Sequence, residues 1–197
     1  MKNMSHKTNL IRAVLAFAVL AATLLTGCVV TSVYPFYHAK DVTFDPALLG
    51  VWAESGKTEA GDETWTFART TDQIYKLTVA SNSDTNEFDG RLFKLKDQMF
   101  LDLLPGTRQD ANVPAHILMR IDSISPQLKM RLLNYEWLGK LIEKNPRAIR
   151  HIVVPRSAQN EGGELVLTAD TAELQRFIRK HLATQDAWVE SPVLQKK

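Results

Sequence analysis

The 197-residue chain has one cysteine, and no two of its five histidines have the spacing of a metal site. A disulfide within the chain and a metal site built from paired cysteines are therefore excluded. The sequence also lacks Gly-x-Ser-x-Gly, His-Glu-x-x-His and a glycine-rich phosphate-binding loop. These absences predict a protein that is not an enzyme and uses no cofactor.

A hydrophobic run long enough to span a membrane is also missing. The apolar stretch at residues 13–25 contains Thr23 and is shorter than the roughly 20 residues that a membrane-spanning helix needs. It follows Lys2, Lys7 and Arg12, and no acidic residue precedes it. A basic start followed by a short apolar segment is the pattern of a secretory signal peptide.

The lone cysteine ends the tetrapeptide Leu25-Thr26-Gly27-Cys28, which resembles the lipobox of bacterial lipoproteins. The resemblance implies that residues 1–27 are a signal peptide and that the Cys28 thiol carries a lipid, so that a membrane is a partner. It also implies a place in the cell envelope. The absence of Asp after Cys28 points to the outer membrane, facing the periplasm. The alternative is an uncleaved anchor helix, because the uncharged stretch continues to Tyr37.

Neither sign of charge dominates the mature chain. Three of the 24 basic residues lie in residues 1–27, which leaves 21 basic against 22 acidic residues. Nucleic acid is therefore not an expected partner, because phosphate binding requires a clustered positive surface. We predict a lipidated tether at 28–45, a single β-rich domain at 46–190 and a tail at 191–197.

Apolar and polar residues alternate through most of this domain, which is the pattern of half-buried strands. Short links between them favour antiparallel hairpins. Strands are expected at 51–55, 63–69, 74–80, 88–96, 98–104, 117–124, 128–133, 149–154 and 165–168. Helices are expected at 135–144 and from about Asp170, with Glu173 completing a capping box. The predicted fold is mainly β within an α+β chain: an antiparallel meander with an inserted helix and a C-terminal helix.

One helical turn begins at Asp45-Pro46, and Gly50-Val51-Trp52 then enters the first strand. A helical turn, Gly-x-Trp, antiparallel strands and a late helix together resemble the lipocalin pattern. The resemblance implies a closed or partly open barrel whose closed end is filled by Trp52, with Arg176 or Arg179 packed on the ring. A generic α+β domain with one antiparallel sheet is the alternative. The chain also resembles a group of lipoproteins to which no activity is assigned.

Aromatic residues on the predicted strands are the candidates for lining a ligand cavity. They are Trp65, Phe67, Tyr75 and Phe100. A hollow barrel with these side chains in its wall would bind a small apolar ligand. Aromatic side chains at strand spacing are more often part of an ordinary core.

Ionisable residues give no metal or catalytic pattern. Asp102 is expected to point outward from a half-buried strand, whereas burial on both faces would make it a perturbed carboxylate. His116 could pair with Asp122 or Asp102 in space, and chance proximity is favoured over a functional pair. His151 lies near Arg147, Arg150 and Arg156, which favours a solvated strand face or, alternatively, contact with lipid phosphates. His181 falls on the apolar stripe of the last helix and is expected in the core or at its rim.

Together these features predict a non-enzymatic, lipid-anchored envelope lipoprotein that binds a small apolar ligand. The alternative is a module that binds or inhibits another envelope protein. A hydrolase remains the third hypothesis, and it requires His116 to cluster with two carboxylates in an open cleft.

Overall fold

The computed structural model describes residues 29–54, 63–71, 73–82, 84–106, 115–154 and 164–197. The predicted signal peptide and Cys28 lie outside these residues. The helices are α1 (Tyr135–Lys144) and α2 (Thr171–His181), and 3-10 turns lie at Ala39–Asp41, Pro46–Leu48 and Gln185–Ala187. The strands are β1 (Thr31–Ser32), β2 (Val42–Thr43), β3 (Gly50–Glu54), β4 (Thr64–Thr71), β5 (Ile74–Ala80), β6 (Thr85–Leu95), β7 (Gln98–Pro105), β8 (His116–Ser123), β9 (Gln127–Leu133), β10 (His151–Val154), β11 (Glu164–Leu167), β12 (Trp188–Glu190) and β13 (Leu194–Lys196).

Eight of these strands close into an antiparallel barrel. Each strand from β3 to β9 pairs with the next, and β13 pairs with both β9 and β3. The prediction of a mainly β chain with a lipocalin-like barrel, an inserted helix and a C-terminal helix is confirmed. A barrel of this size is just wide enough for side chains to fill its interior.

The closing strand comes from the segment that was predicted to be a tail. Leu194 is buried and pairs with Glu54 of β3 and with Leu128 of β9. The prediction of a tail at 191–197 was therefore wrong. A strand of three residues is too short to show an alternating pattern, so only its pairing partners identify it.

The predicted tether is also part of the folded body. Val29, Val30 and Phe36 are buried. β1 pairs with β8, and β2 pairs with β6. The prediction of a tether at 28–45 was wrong over residues 29–45, because this segment uses strand edges that the barrel leaves open.

The closed end of the barrel has the predicted helical turn and tryptophan. The Asp45 carboxylate accepts a hydrogen bond from the Ala47 amide at 2.9 Å, which caps the turn. Trp52 is buried, and its indole Nε1–H donates to the Leu48 carbonyl at 2.8 Å. The turn therefore covers the end of the barrel, and its Leu48 carbonyl accepts the hydrogen bond of the buried Trp52 indole.

The cation on the Trp52 ring is a lysine. The Lys196 ammonium lies 5.4 Å from the ring centroid. Gly50 has a φ of +121°, and a Cβ on it would lie 2.8 Å from Cε of Lys196, so glycine is required here. The prediction of Arg176 or Arg179 at this place was wrong, because both belong to α2, which packs on the outside of the barrel.

A second apolar layer covers part of the barrel wall. It is formed by α1, α2, the N-terminal segment, Ile149 and the strands β11 and β12. Asp170 caps α2 as predicted, accepting from the Glu173 amide at 2.9 Å. The Glu173 carboxylate does not complete a capping box but accepts from Arg150 Nε at 2.6 Å. Within the described part of the chain, neither helix is long and apolar enough to cross a membrane.

Candidate functional site

The barrel interior is packed with apolar side chains. Trp65, Phe67 and Tyr75 all point into it and are buried. The cavity between Trp65, Leu103 and their neighbours has a volume of about 20 Å³, whereas pockets for small ligands measure about 300–1,000 Å³. The three predicted lining residues thus belong to the core of the barrel, and the space beside them is about the size of one water molecule.

Phe100 lies on the other face of its strand. Successive side chains of a strand point to opposite faces, and Leu101 and Leu103 of β7 face the interior. Phe100 therefore points outward and stacks on Phe93 at 5.4 Å between ring centroids, in the outer apolar layer. The prediction of Phe100 as a cavity-lining residue was wrong, because its side chain is on the face of β7 opposite to that of Leu101 and Leu103.

A larger cavity lies outside the barrel, and we call it the outer groove. Its volume is about 740 Å³, which is within the range of ligand pockets. It forms beside β6, at the point where β5 stops pairing with this strand and β2 starts. β5 pairs with β6 as far as Gly90, and β2 pairs with it from Leu92 onward. The described lining residues are Tyr37, Ala39, Val42, Phe44, Arg69, Thr71, Gln73, Ile74 and Arg91.

One side of the outer groove is a stack of a guanidinium and two aromatic rings. The Arg69 guanidinium carbon lies 4.7 Å from the Phe44 centroid. Phe44 in turn stacks on Tyr75 at 4.7 Å with an angle of 11° between the rings. The Tyr75 hydroxyl donates to the Asp45 carbonyl at 3.0 Å and accepts from its amide at 2.7 Å. The stack is therefore attached to both the barrel and the N-terminal segment.

The other side pairs Arg91 with Tyr37. The Arg91 guanidinium carbon lies 5.6 Å from the Tyr37 ring centroid, which is a cation–π contact. Burial raises the pKa of Tyr37, although the charge of Arg91 acts in the opposite direction. The Tyr37 hydroxyl therefore keeps its proton at neutral pH and can act as a donor.

Chemically, the outer groove combines two cations with an apolar floor. Among its described lining residues, the charged ones are Arg69 and Arg91, while Val42 and Ile74 contribute aliphatic surface. Guanidinium groups suit carboxylate and phosphate, to which they donate two parallel hydrogen bonds. An anionic group on an apolar body fits this surface. Asp72, next to Thr71 in sequence, lies outside the described residues.

Sequence reasoning missed the outer groove because its residues come from distant segments. Tyr37 and Phe44 lie in the supposed tether, whereas Arg69 and Arg91 lie on two strands that are not neighbours. No spacing in the sequence relates these four residues. The one available signal was the run of three aromatics in residues 34–37, which is unusual for a solvated linker.

Asp102 and His116 form a pair beneath the N-terminal segment. Their side chains lie 2.7 Å apart, and they are 2% and 7% exposed. The Phe36 amide donates to the second carboxylate oxygen at 2.9 Å. The prediction of a solvated Asp102 was wrong, because the outer face of β7 is covered by the N-terminal segment. Of the two carboxylates considered for His116, the structure pairs it with Asp102.

This pair does not form the arrangement that a hydrolase requires. In the described part of the chain His116 contacts one carboxylate, and both partners are buried under Phe36 rather than open to a cleft. The same residues contain no group of three potential metal ligands. The geometry instead indicates an attachment point for the N-terminal segment.

The remaining candidates are occupied by structural contacts. Arg150 forms ion pairs with Asp170 and Glu173 at 2.7 and 2.6 Å. His181 packs edge-on against Trp137 at 4.9 Å, and burial lowers the pKa of its imidazole. His181 is thus a rim histidine, as expected. Arg156 lies outside the described residues.

Comparisons with protein-family models, with curated proteins and with solved structures found no match to this chain. The functional argument therefore rests on its own residues and geometry.

Proposed function

We propose that this chain is a non-enzymatic lipoprotein of the cell envelope whose outer groove binds a small molecule with an anionic group on an apolar body. The observation that carries the ligand proposal is the pair of guanidinium groups, Arg69 and Arg91, on aromatic rings around a space of about 740 Å³. Each side of this space combines a barrel residue with a residue of the N-terminal segment: Arg69 with Phe44 on one side, and Arg91 with Tyr37 on the other.

The anchor proposal rests on the lipobox resemblance at Leu25-Thr26-Gly27-Cys28. In this proposal a lipid on Cys28 holds the protein in the outer membrane, with the folded body in the periplasm. Each buried CH₂ of an acyl chain adds about 0.8 kcal/mol of membrane affinity, so two or more chains give stable attachment.

We propose the outer groove for the ligand because the interior space that the described residues enclose between Trp65 and Leu103 is too small. It measures about 20 Å³, which excludes even a short fatty acid. The expected ligand therefore differs from the purely apolar one predicted from the sequence. It carries a carboxylate, phosphate or sulfonate, which pairs with Arg91.

The test is a fluorescence titration with anilinonaphthalene sulfonate, which has an anionic group on an aromatic body. We expect Arg91→Gln to weaken binding about tenfold, as the loss of one charge-assisted hydrogen bond implies. The control is Arg176→Gln, which removes the same charge from an exposed position on α2. It should leave the affinity unchanged.

Equal affinities of the wild type, Arg91→Gln and Arg176→Gln would contradict the ligand proposal. So would equal binding of the uncharged anilinonaphthalene. Circular dichroism of each variant checks that the fold is retained, because Arg91 also holds Tyr37.

The filled interior also favours a second candidate, a module that binds or inhibits another envelope protein through its surface. Native mass spectrometry of the protein purified from envelopes separates the two candidates. A bound mass of a few hundred daltons would support the groove ligand, whereas a bound protein would support the interaction module.

A further inference from the structure

The chain enters the folded body directly after Cys28. Val29 and Val30 are buried, in the interior and in the outer apolar layer respectively, and β1 begins at Thr31. Consecutive Cα atoms are about 3.8 Å apart, so a lipid on Cys28 would be attached one residue from the core. No linker would separate the body from the bilayer, and the surface around Val29 would have to face the membrane.

The strand register shows which surface this is. β1 runs parallel to β11 with Thr31 opposite Val166, and β10 runs antiparallel to β11 with Ile152 opposite Val166. Because β1 and β11 are parallel, the chain before Thr31 lies on the Glu164 side of β11. Because β10 is antiparallel to β11, the same side of β10 is its Val154 end. A hydrogen bond of 3.2 Å from the Thr31 hydroxyl to the Glu164 carboxylate joins the strands on this side.

Three adjacent apolar residues are exposed at this place, and we call them the ribbon edge. Ile152, Val153 and Val154 are 51%, 61% and 38% exposed. Among the described strands β10 pairs only with β11, so the backbone of its outer edge is also open. Soluble proteins usually protect such an edge with charged residues, proline or a bulge, and residues 151–154 contain none of the three.

We propose that the ribbon edge lies against the phospholipid bilayer and fixes the orientation of the anchored protein. This inference rests on the proposed function, since it requires the lipid on Cys28. Neighbouring strands are about 4.8 Å apart, so β10 runs about 10 Å from β1. The ribbon edge is thus within the footprint of the anchor, and its exposed apolar surface has the chemistry of an interfacial contact.

The charges beside the ribbon edge agree with this placement. Arg150, which precedes β10, is paired with Asp170 and Glu173. The Glu164 carboxylate accepts from Thr31. Among the described residues beside the ribbon edge, both charges thus have a protein partner, and the exposed surface is made of apolar side chains.

The test places a fluorescent label on the ribbon edge of the full, lipidated chain. Cys28 is the only native cysteine and its thiol is consumed by the lipid, so Val153→Cys supplies the only free thiol for a nitrobenzoxadiazole label. The control is Val51→Cys. It is 38% exposed and lies on β3, three strands around the barrel from β8 in the order β8–β9–β13–β3.

In vesicles of phosphatidylethanolamine and phosphatidylglycerol, we expect the label at residue 153 to shift its emission to the blue. We also expect it to lose intensity when lipids carrying a doxyl quencher are included. The label at residue 51 should show neither change, because it faces water.

Flotation of the vesicles distinguishes failure of the lipid anchor on Cys28 from failure of the proposed orientation of the ribbon edge. If the protein floats with them, and Cys28→Ser abolishes flotation, the anchor stands; equal quenching at residues 153 and 51 would then overturn the orientation alone. If the protein does not float, or if Cys28→Ser floats as well, the anchor fails and the orientation fails with it.

Discussion

At the scale of the residue, the buried carboxylate of Asp102 connects two parts of the fold. It accepts hydrogen bonds from the Phe36 amide and from His116, and so joins the N-terminal segment to the barrel wall. Gln175 reinforces this attachment from α2, donating to the Phe36 carbonyl at 3.1 Å and to the Asp41 carboxylate at 2.8 Å. One wall of the outer groove depends on these contacts.

We predict that Asp102→Ala lowers the free energy of unfolding by about 3 kcal/mol, because it leaves buried partners without an acceptor. Urea unfolding of residues 29–197 measures the change. The control is Asp122→Ala. Asp122 pairs with Arg120 and Arg131 at the surface, and its loss should cost less than about 1 kcal/mol. Similar costs for the two variants would show that Asp102 is not an attachment point.

Local chemistry made some residue roles predictable. Asp45 and Asp170 cap helical turns as expected, since a cap needs only a side-chain oxygen next to free amides. Asp102 and Lys196 were assigned wrongly or not at all. Their partners are 66 residues away, at Phe36, and 149 residues away, at Ala47, and no local pattern encodes contacts at such separations.

At the scale of the element, the closing strand β13 determines whether the barrel exists. It lies between β3 and β9, which have no direct pairing with each other among the described strands. Without it, the backbone groups on two strand edges would lose their partners. The last seven residues of the chain thus hold together its first and last long barrel strands.

We predict that Leu194→Ala lowers the free energy of unfolding by about 3 kcal/mol, as truncation of a fully buried leucine does. The control is Val189→Ala on β12. Val189 is exposed, and its truncation should cost about 0.5 kcal/mol or less. Chemical denaturation followed by tryptophan fluorescence checks both. A Leu194→Ala protein as stable as Val189→Ala would mean that residues 191–197 are the tail first expected.

Long strands were predictable from the sequence, and short ones were not. The strand at residues 74–80 and the helix at 135–144 have the expected bounds, because alternation and a 3.6-residue stripe are visible over that length. β1, β2, β12 and β13 have two or three residues each, which is too short for either pattern to repeat. These four strands attach the termini to the barrel, and their omission led to the wrong tether and tail.

At the scale of the whole molecule, the fold separates the core from the sites at the surface. The barrel interior is occupied by side chains, and the candidate surfaces lie on additions to it: the outer groove beside the N-terminal segment and the ribbon edge beyond β1. The barrel class was predictable from strand pattern and Gly-x-Trp. Whether its interior is hollow depends on packing in three dimensions, which alternation alone does not reveal.

The proposed anchor would set how these surfaces face the membrane. A lipid on Cys28 would place the ribbon edge at the bilayer, with the outer groove on the same rigid body. If Cys28 carries no lipid, the exposed apolar residues Ile152 and Val153 lose the membrane as their partner, and the near-neutral mature charge no longer describes the protein.

The intact mass of the protein extracted from envelopes tests this most directly. We predict a polypeptide that begins at Cys28, with the added mass of a thioether-linked diacylglycerol and no free thiol. A polypeptide that still begins with methionine, or one whose single cysteine reacts with a thiol reagent, would contradict the account.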